Sequence, residues 1–505
     1  MTVNSVTPSS INTDRMLSLR AQLDNLQRQL GTGMRADNYA DLGSVRSTSL
    51  EFRADRAALD GYQEAIQRTE VSFSILSQTL ERMEDIAGEM KGDAIPTSFV
   101  IQADNRTTAQ VSGEYRFYEM VTLLNTEIEG QYLFSGLSSD TEPVATADEI
   151  MEGAGARDGF KQVLNERQTA DLGGQLSDPL LTGRLDLATV GAITSITEAG
   201  NDVFGFQLDT AAGATSSSAS ITTTGPAGAP EALSFEVTGP VDVGETVRFA
   251  VTMPDGSRKD LILTASDVAN DDEPVFVVDA DPLVTAANLG ATIERVVDEL
   301  ARTELAAASA TVAGQDFFDN NPPIRVVPDA VNGIAGATTT VADTTNTVIW
   351  YRGEDGPLDA RLTNTTRVDD GVQVAYGARA NEDALRTTLR ELAVFSVQNF
   401  DVDDPTSANR YAQIANRTRA ALDDTSGSTL PRSIALEIGT ASTLMQATKD
   451  RHIATRAVYN DILQGTDGIT QEEVAAKLLN IQTRLEATYS VTAMLRELSL
   501  VNYLR

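Results

Sequence analysis

The sequence predicts an α+β multidomain fold: a long antiparallel coiled-coil-like helical rod built from both chain termini, with a large β-rich inserted region between them. Three observations carry the prediction. Near the C-terminus Val474, Leu478, Ile481, Leu485, Thr488, Thr492, Leu495, Ser499 and Asn502 recur at spacings of four and three, the seam of a helix that packs on other helices. Near the N-terminus Met16, Leu19, Leu23, Leu26 and Leu30 repeat that spacing. From residue 136 to about 375 the composition turns to Ala, Gly, Thr, Ser, Val and Asp, with short β-branched runs between turns.

In chain order, Thr7-Pro8-Ser9-Ser10 reads as a helix start and Gly31-Thr32-Gly33 as its interruption. Residues 34–56 are weakly patterned, a bent connection with a helical second half. Leu59, Tyr62, Ile66, Thr69, Phe73, Leu76, Leu80, Met83, Ala87 and Met90 then mark a helix of about nine turns, ended by Gly92 and Pro96. A further helix is expected over residues 107–130, with Phe117, Met120, Leu124 and Ile128 on one side. These readings give an N-terminal helix and hinge over 1–40, rod helices over 41–140, and an insert of one or two domains over 141–375.

Within the insert, strands are expected over 202–208, 233–237, 246–252, 259–264, 274–279, 324–327 and 348–351, with Met253-Pro254-Asp255-Gly256 as a turn. One amphipathic helix is expected over 285–305, carrying Leu289, Ile293, Val297 and Leu300. Past Gly377 helical patterning returns over 376–465, first at Leu385, Leu389 and Leu392, then at Tyr411, Ile414, Thr418 and Leu422. A heptad row follows from Ile434 to Ile462 through Met445, Thr448, His452, Thr455 and Tyr459. Gly465-Thr466-Asp467-Gly468 reads as the turn into the last helix, over 466–505, and Thr470 with Glu473 as its capping box. Rods at both ends of the sequence require the chain ends to lie side by side, with the insert projecting from the far end.

A second row on the last helix, Ala487, Val491, Met494, Leu498 and Val501, widens its apolar stripe beyond what one neighbouring helix covers. Fixing the backbone of a free helix costs more than one buried stripe returns. The terminal helices are therefore expected to be loose alone and ordered in company, which makes them an assembly device.

Seventy-three acidic against 39 basic side chains leave a net charge of -34 over 505 residues. That argues against nucleic acid, which needs clustered Lys and Arg, and against docking on an anionic membrane. With no cysteine, disulfides and thiol chemistry are excluded. The first 30 residues lack a basic segment followed by an apolar core, and no run of 18 apolar residues occurs, so neither a cleaved signal nor a membrane span is expected.

Signals for catalysis are weak. His452 is the single histidine and sits on a helical seam, so a packed, hydrogen-bonded structural role is expected of it. The stretch Gly153 to Gly159 lacks the Lys-Ser/Thr of a phosphate loop and reads as a flexible linker. The acidic runs 267–273 and 401–404 lack EF-hand spacing and read as solvated loops. Trp350 is expected in a β core. No catalytic, cofactor or metal residue is assigned.

Three stretches resemble the bacterial flagellin superfamily of axial proteins. Leu26-Gln27-Arg28-Gln29-Leu30-Gly31-Thr32-Gly33 is similar to the family's opening Leu repeat with Leu-x-Thr/Ser-Gly. Glu129-Gly130-Gln131-Tyr132-Leu133-Phe134-Ser135-Gly136 is similar to the Gly-x-Tyr-Leu-Phe-Ser-Gly element of the hook-filament junction branch, and Leu498-Ser499-Leu500-Val501-Asn502-Tyr503-Leu504 to the terminal Ser-Leu-Leu-Asn-Tyr-Leu. Residues 34–41 depart from the family's Arg-Ile-Asn pattern, and the insert is large. The resemblance covers about residues 1–140 and 375–505. It implies a non-enzymatic structural protein of the extracellular flagellum, exported by the type III route without a cleaved signal. The implied partners are itself in a ring or helical layer, another hook-associated protein, flagellin and an export chaperone, with no nucleic acid, membrane or cofactor. Met16, Leu19, Leu23, Leu26, Leu30, Val474, Leu478, Ile481, Leu485, Val491, Met494, Leu495, Leu498 and Val501 would form the assembly interface, and Tyr132, Leu133, Phe134, Gly136 and Gly377 the crossing between rod and insert. The alternatives are a filament subunit with an enlarged outer domain and, more remotely, a secreted glycan-binding adhesin or enzyme.

Overall fold

The computed structural model describes residues 8–102, 105–423 and 430–503, with side-chain surroundings between residues 11 and 494. Its helices in chain order are α1 (Pro8–Thr32), α2 (Arg46–Asp93), α3 (Thr108–Leu124), α4 (Ala147–Glu152), α5 (Phe160–Leu172), α6 (Pro282–Leu300), α7 (Ala306–Phe318), α8 (Asp383–Ser396), α9 (Ser407–Ala421), α10 (Pro431–Asp467) and α11 (Gln471–Tyr503). Long helices at both termini and a β-rich middle make the fold α+β. The chain divides into two compact units, Met1–Glu70 with Thr366–Val374 and Ser442–Arg505, and Val71–Thr365 with Ala375–Ala441.

In the first unit the chain ends do lie side by side, as their matching heptad rows require. Arg20 donates to the Tyr489 hydroxyl at 3.0 Å and Arg35 lies 3.8 Å from Glu473, so α1 and α11 run antiparallel. The turns at their base pair through the backbone: Arg35 N–H donates to the Asp467 carbonyl at 2.7 Å and Ile469 N–H to that of Gly33 at 3.1 Å. Gly33 holds φ +71° there, a left-handed conformation that a side chain resists. The bend after α1 is a 3₁₀ turn, Tyr39–Val45, and α2 then runs 48 residues. The turn before α11 is shorter than expected, since Gly465 to Asp467 continue α10. Only half of the expected capping box forms: Glu473 N–H donates to Thr470 Oγ1 at 3.2 Å, but the Glu473 carboxylate turns to Lys477 at 2.6 Å.

In the second unit two sheets share a core. One is antiparallel, in the order Leu185–Val190, Ile193–Glu198, Glu231–Val237, Ile221–Gly228. The other runs Val275–Val277, Arg258–Ser266, Thr246–Thr252, Gln207–Leu208, with Val275–Val277 parallel to its neighbour. Phe235, Phe249 and Phe276 from the sheets and Leu289 and Ile293 from α6 form one buried cluster. The turn at Met253 to Gly256 closes as its residues demand, Gly256 N–H donating to the Met253 carbonyl at 2.9 Å.

Several expectations differ from the structure for physical reasons. The helix expected over 107–130 stops at Leu124. Glu129 and Gly130 take φ of +53° and +79°, the turn of a short hairpin that puts Ile128 in a strand. The insert holds α4, α5, α6 and α7 rather than one helix. The α7 run Ala306, Ala307, Ala308, Ala310 and Ala313 is buried on every side, so no amphipathic period betrays it. The stretch 153–159 is a hairpin, not a linker: a Cβ on Gly153 would sit 2.3 Å from the Arg157 carbonyl oxygen. Of residues 202–208 only Gln207–Leu208 is strand. Residues 348–351 form no strand beyond a single bridge from Tyr351 to Val144, and Trp350 packs between Phe318 and Tyr351 with its indole N–H on the Phe318 carbonyl at 3.0 Å. All five lysines are ion-paired, to Asp423, Glu152, Glu304, Glu70 and Glu473 in chain order.

One guanidinium serves two carboxylates between α5 and α7. Arg167 reaches Asp171 at 2.8 Å and Asp316 at 3.1 Å, and Asp171 also accepts from Ser309 and from Gly205 N–H. Burial, only partly offset by Arg167, pushes the Asp316 carboxyl up to about 6. A raised acid favours the folded state below its unfolded value, and that contribution is lost as pH rises through the folded one. Asp316→Asn should therefore gain stability relative to the parent between pH 4 and pH 7, by at most about 3 kcal/mol. Urea denaturation across that range checks this, and parallel pH profiles would contradict it.

Candidate assembly interface

Two of the expected interface rows meet within one chain. Leu19 and Leu26 of α1 are buried against Val474, Ile481 and Leu485 of α11, with Met16, Leu23 and Leu478 half-buried around them. Leu30, Val491 and Met494 are not brought into this seam; they face solvent, as do Ile11, Leu17, Leu479 and Tyr489 on the same two helices. The side chains of Leu495, Leu498 and Val501 lie outside the described residues. A groove of about 550 Å³ runs between the helices, floored by Leu26 and Ile481 and rimmed by Gln22, Asn25, Asn480 and the Glu473–Lys477 pair. The helix pair thus spends one stripe on itself and leaves further apolar side chains bare.

The second candidate group is a backbone crossing in the other unit. Phe134 is fully buried, Tyr132 and Leu133 half-buried. Ser135 bridges Arg379, Ala380 N–H donates to the Phe134 carbonyl at 2.9 Å, and Glu354 N–H donates to that of Ser135 at 2.9 Å. Gly136 holds φ +66° with Glu354 and Arg379 close by. Arg379 pairs with Glu354 at 2.5 Å and donates to the Gly356 carbonyl at 2.9 Å. Gly377 sits against Arg361, which donates to its carbonyl at 2.6 Å and pairs with Glu382 and, at 3.2 Å, with Glu437. Burial raises the Glu382 carboxyl above its ordinary range against the pull of Arg361. Sequence reading found the glycines and the aromatic run here but missed Arg361, Arg379, Glu354 and Glu382. An arginine two residues beyond Gly377 was the available cue.

No catalytic grouping emerges from the residues weighed for one. His452 is 1% exposed, with Nε2 3.4 Å from an Asp369 oxygen: it is buried as expected, but at ion-pair rather than hydrogen-bond distance. The acidic loops are tied down by nearby backbone and by arginines of the neighbouring helices. Asp401 accepts from Asp403 N–H, Asp404 from Thr406 N–H and Arg410, and Arg295 ties the carbonyls of Asp271 and Glu273. Burial pushes the Asp404 carboxyl up, but Thr406 and Arg410 hold it below the ordinary range. Among the described residues there is no group of three or more acidic or histidine side chains placed for a metal, and no helix long and apolar enough to cross a membrane.

Residues 3–139 match the family profile described as the bacterial flagellin N-terminal helical region. The match supports the bacterial flagellin superfamily. It covers α1, α2, α3 and the hairpin that follows, so the α1 seam and the Tyr132 to Gly136 segment both fall inside the flagellin-like region. No curated protein matches the chain. Proteins of the flagellin family are structural and self-assemble into the helical arrays of the extracellular flagellum, so the match supports a flagellar structural protein.

Two substitutions separate the two groups. Leu26→Ala should destabilise the terminal helix pair by about 2–5 kcal/mol, read as lost amide protection in α1 and α11 while the second unit is unchanged. In Gly377→Ala the new methyl would meet Thr363 Oγ1 at 2.2 Å and the Ala360 carbonyl oxygen at 2.3 Å. That should cost about 1–3 kcal/mol in urea denaturation of the second unit.

Proposed function

We propose that this chain is the structural protein of the flagellar hook-filament junction, hook-associated protein 3. Copies would form a layer by helical self-assembly of their terminal helices, between another hook-associated protein and the first flagellin subunits. The observation that carries the reading is the bare apolar stripe on α1 and α11, with Ile11, Leu17, Leu479, Val491 and Met494 exposed beside a seam that is already filled. A lone subunit gains nothing from it, and a neighbouring copy would cover it. The Gly130 to Gly136 segment supports the junction assignment over the filament. The terminal helices would travel to the cell exterior by the type III route with an export chaperone over the same stripe, and the role is structural rather than enzymatic.

A filament subunit is the second reading, favoured by the size of the insert, residues 141–375. Adding purified subunits to hook-ended seeds without a cap separates the two: growth should stop after a short layer, whereas long filaments would assign the chain to the filament. In Leu479→Ser/Met494→Ser both changes are on exposed positions, so monomer stability should shift by less than about 0.5 kcal/mol while incorporation is lost. Normal incorporation of this variant would remove the stripe from the proposal.

A further inference from the structure

We propose that residues 366–374 form a strap that fixes the axial register between α2 and α10 in the first unit. The two helices pair antiparallel through contacts in step along their length. Arg56 reaches Asn460 at 3.2 Å, Asp60 and Gln63 each meet Arg456 at 3.1 Å, and Glu70 meets Lys449 at 2.7 Å. Pairs as open to solvent as most of these hold register weakly, and the firmer contacts, Arg53 on Asp467 at 2.7 Å and Phe52 on Tyr459 at 5.2 Å between ring centres, act only near the base of the pair. The apolar rows hold it no better. The Tyr62 ring packs on His452 at 5.9 Å between ring centres, and the rows that carry them, Tyr62, Ile66 and Thr69 on α2 and Met445, Thr448, His452, Thr455 and Tyr459 on α10, both repeat every seven residues. Sliding one helix by seven residues, about 10 Å, sets row on row again.

The strap breaks that degeneracy because it grips each helix at single positions. It is a hairpin of Thr365–Asp369 and Val372–Ala375, turned at Gly371 with φ +71°. A two-stranded hairpin is marginal alone, and this one buries Val368 and Val374. On α2 the Thr366 hydroxyl lies 2.8 Å from that of Thr69, and the Arg367 guanidinium stands over the Tyr62 ring at 5.7 Å. On α10 Asp369 takes Arg451 at 2.5 Å and lies 3.4 Å from His452. Seven residues from Arg451, His452 and Thr69 stand Val458 and Tyr459, or Leu444 and Met445, and Tyr62 or Leu76: none carries a guanidinium for Asp369, and the tyrosine hydroxyls lie further from their backbone than the groups they would replace. A slipped pair would keep its apolar rows and lose its strap.

The chain has no cysteine, so introduced pairs report register directly. Gln63→Cys with Arg456→Cys reports the native register, and Gln63→Cys with Lys449→Cys the slipped one. Both are made in the full chain and oxidised under matched conditions, with hydrogen exchange followed across residues 366–374. In the parent only the native pair should cross-link. In Thr366→Ala/Val368→Ala/Asp369→Ala the strap amides should lose protection, and the slipped cross-link should rise at least tenfold while helix content is kept. If that variant does not fold, a Gly-Ser segment of equal length replaces residues 366–374 and the same rise is expected. Cross-linking that stays wholly in the native register after the strap is released or replaced, or strap amides that stay protected in the triple variant, would overturn the proposal.

Discussion

The first unit depends on how the two turns at the base of the terminal helices are tied together. Main-chain bonds from Arg35 to Asp467 and from Ile469 to Gly33 set the point at which α1 and α11 begin to run past each other. The Arg53 guanidinium holds the same Asp467 through its side chain at 2.7 Å. Main-chain pairing tolerates no sliding, so Leu26 falls opposite Val474 and Ile481 rather than a residue up or down the row. Once that alignment is set, the sequence of each helix decides which side chains are spent inside the molecule and which are left on its surface.

The helical parts of this arrangement were legible in the amino-acid sequence because heptad rows write their own geometry. Leu19, Leu26, Val474, Ile481 and Leu485 were identifiable as a seam from spacing alone. That Leu30, Val491 and Met494 would stay outside it was not, since a row records which residues share a face and not how far the partner helix extends. The insert was far less readable. A helix of buried alanines such as α7 has no polar side, and a glycine-rich stretch reads as loose until Gly153 is seen against the Arg157 carbonyl. The main-chain contacts at Phe134 and Ser135 join residues more than 200 positions apart, and the ionic contacts beside them span from about 20 to nearly 80, so nothing local announces that Glu354 will meet Arg379.

The two candidate groups use different physics. The terminal seam is apolar and repetitive, so single changes weaken it in proportion to the area removed. The crossing is tight main chain plus buried ion pairs, where Arg361 and Arg379 are each held by more than one acceptor. Removing one partner there leaves a charge stranded away from water, which costs more than the pair contributes. The flagellin-like match spans part of both groups.

The charge inventory has a consequence for how copies of this molecule meet. Every lysine is already neutralised by a carboxylate of its own chain, while the surplus of acidic groups remains at -34. Two such bodies repel at a distance, and in physiological electrolyte that repulsion fades within about 8 Å. Dissolved ions therefore act as a silent participant in any encounter: in dilute buffer the molecules hold one another off, and in brine they approach closely enough for their greasy flanks to touch.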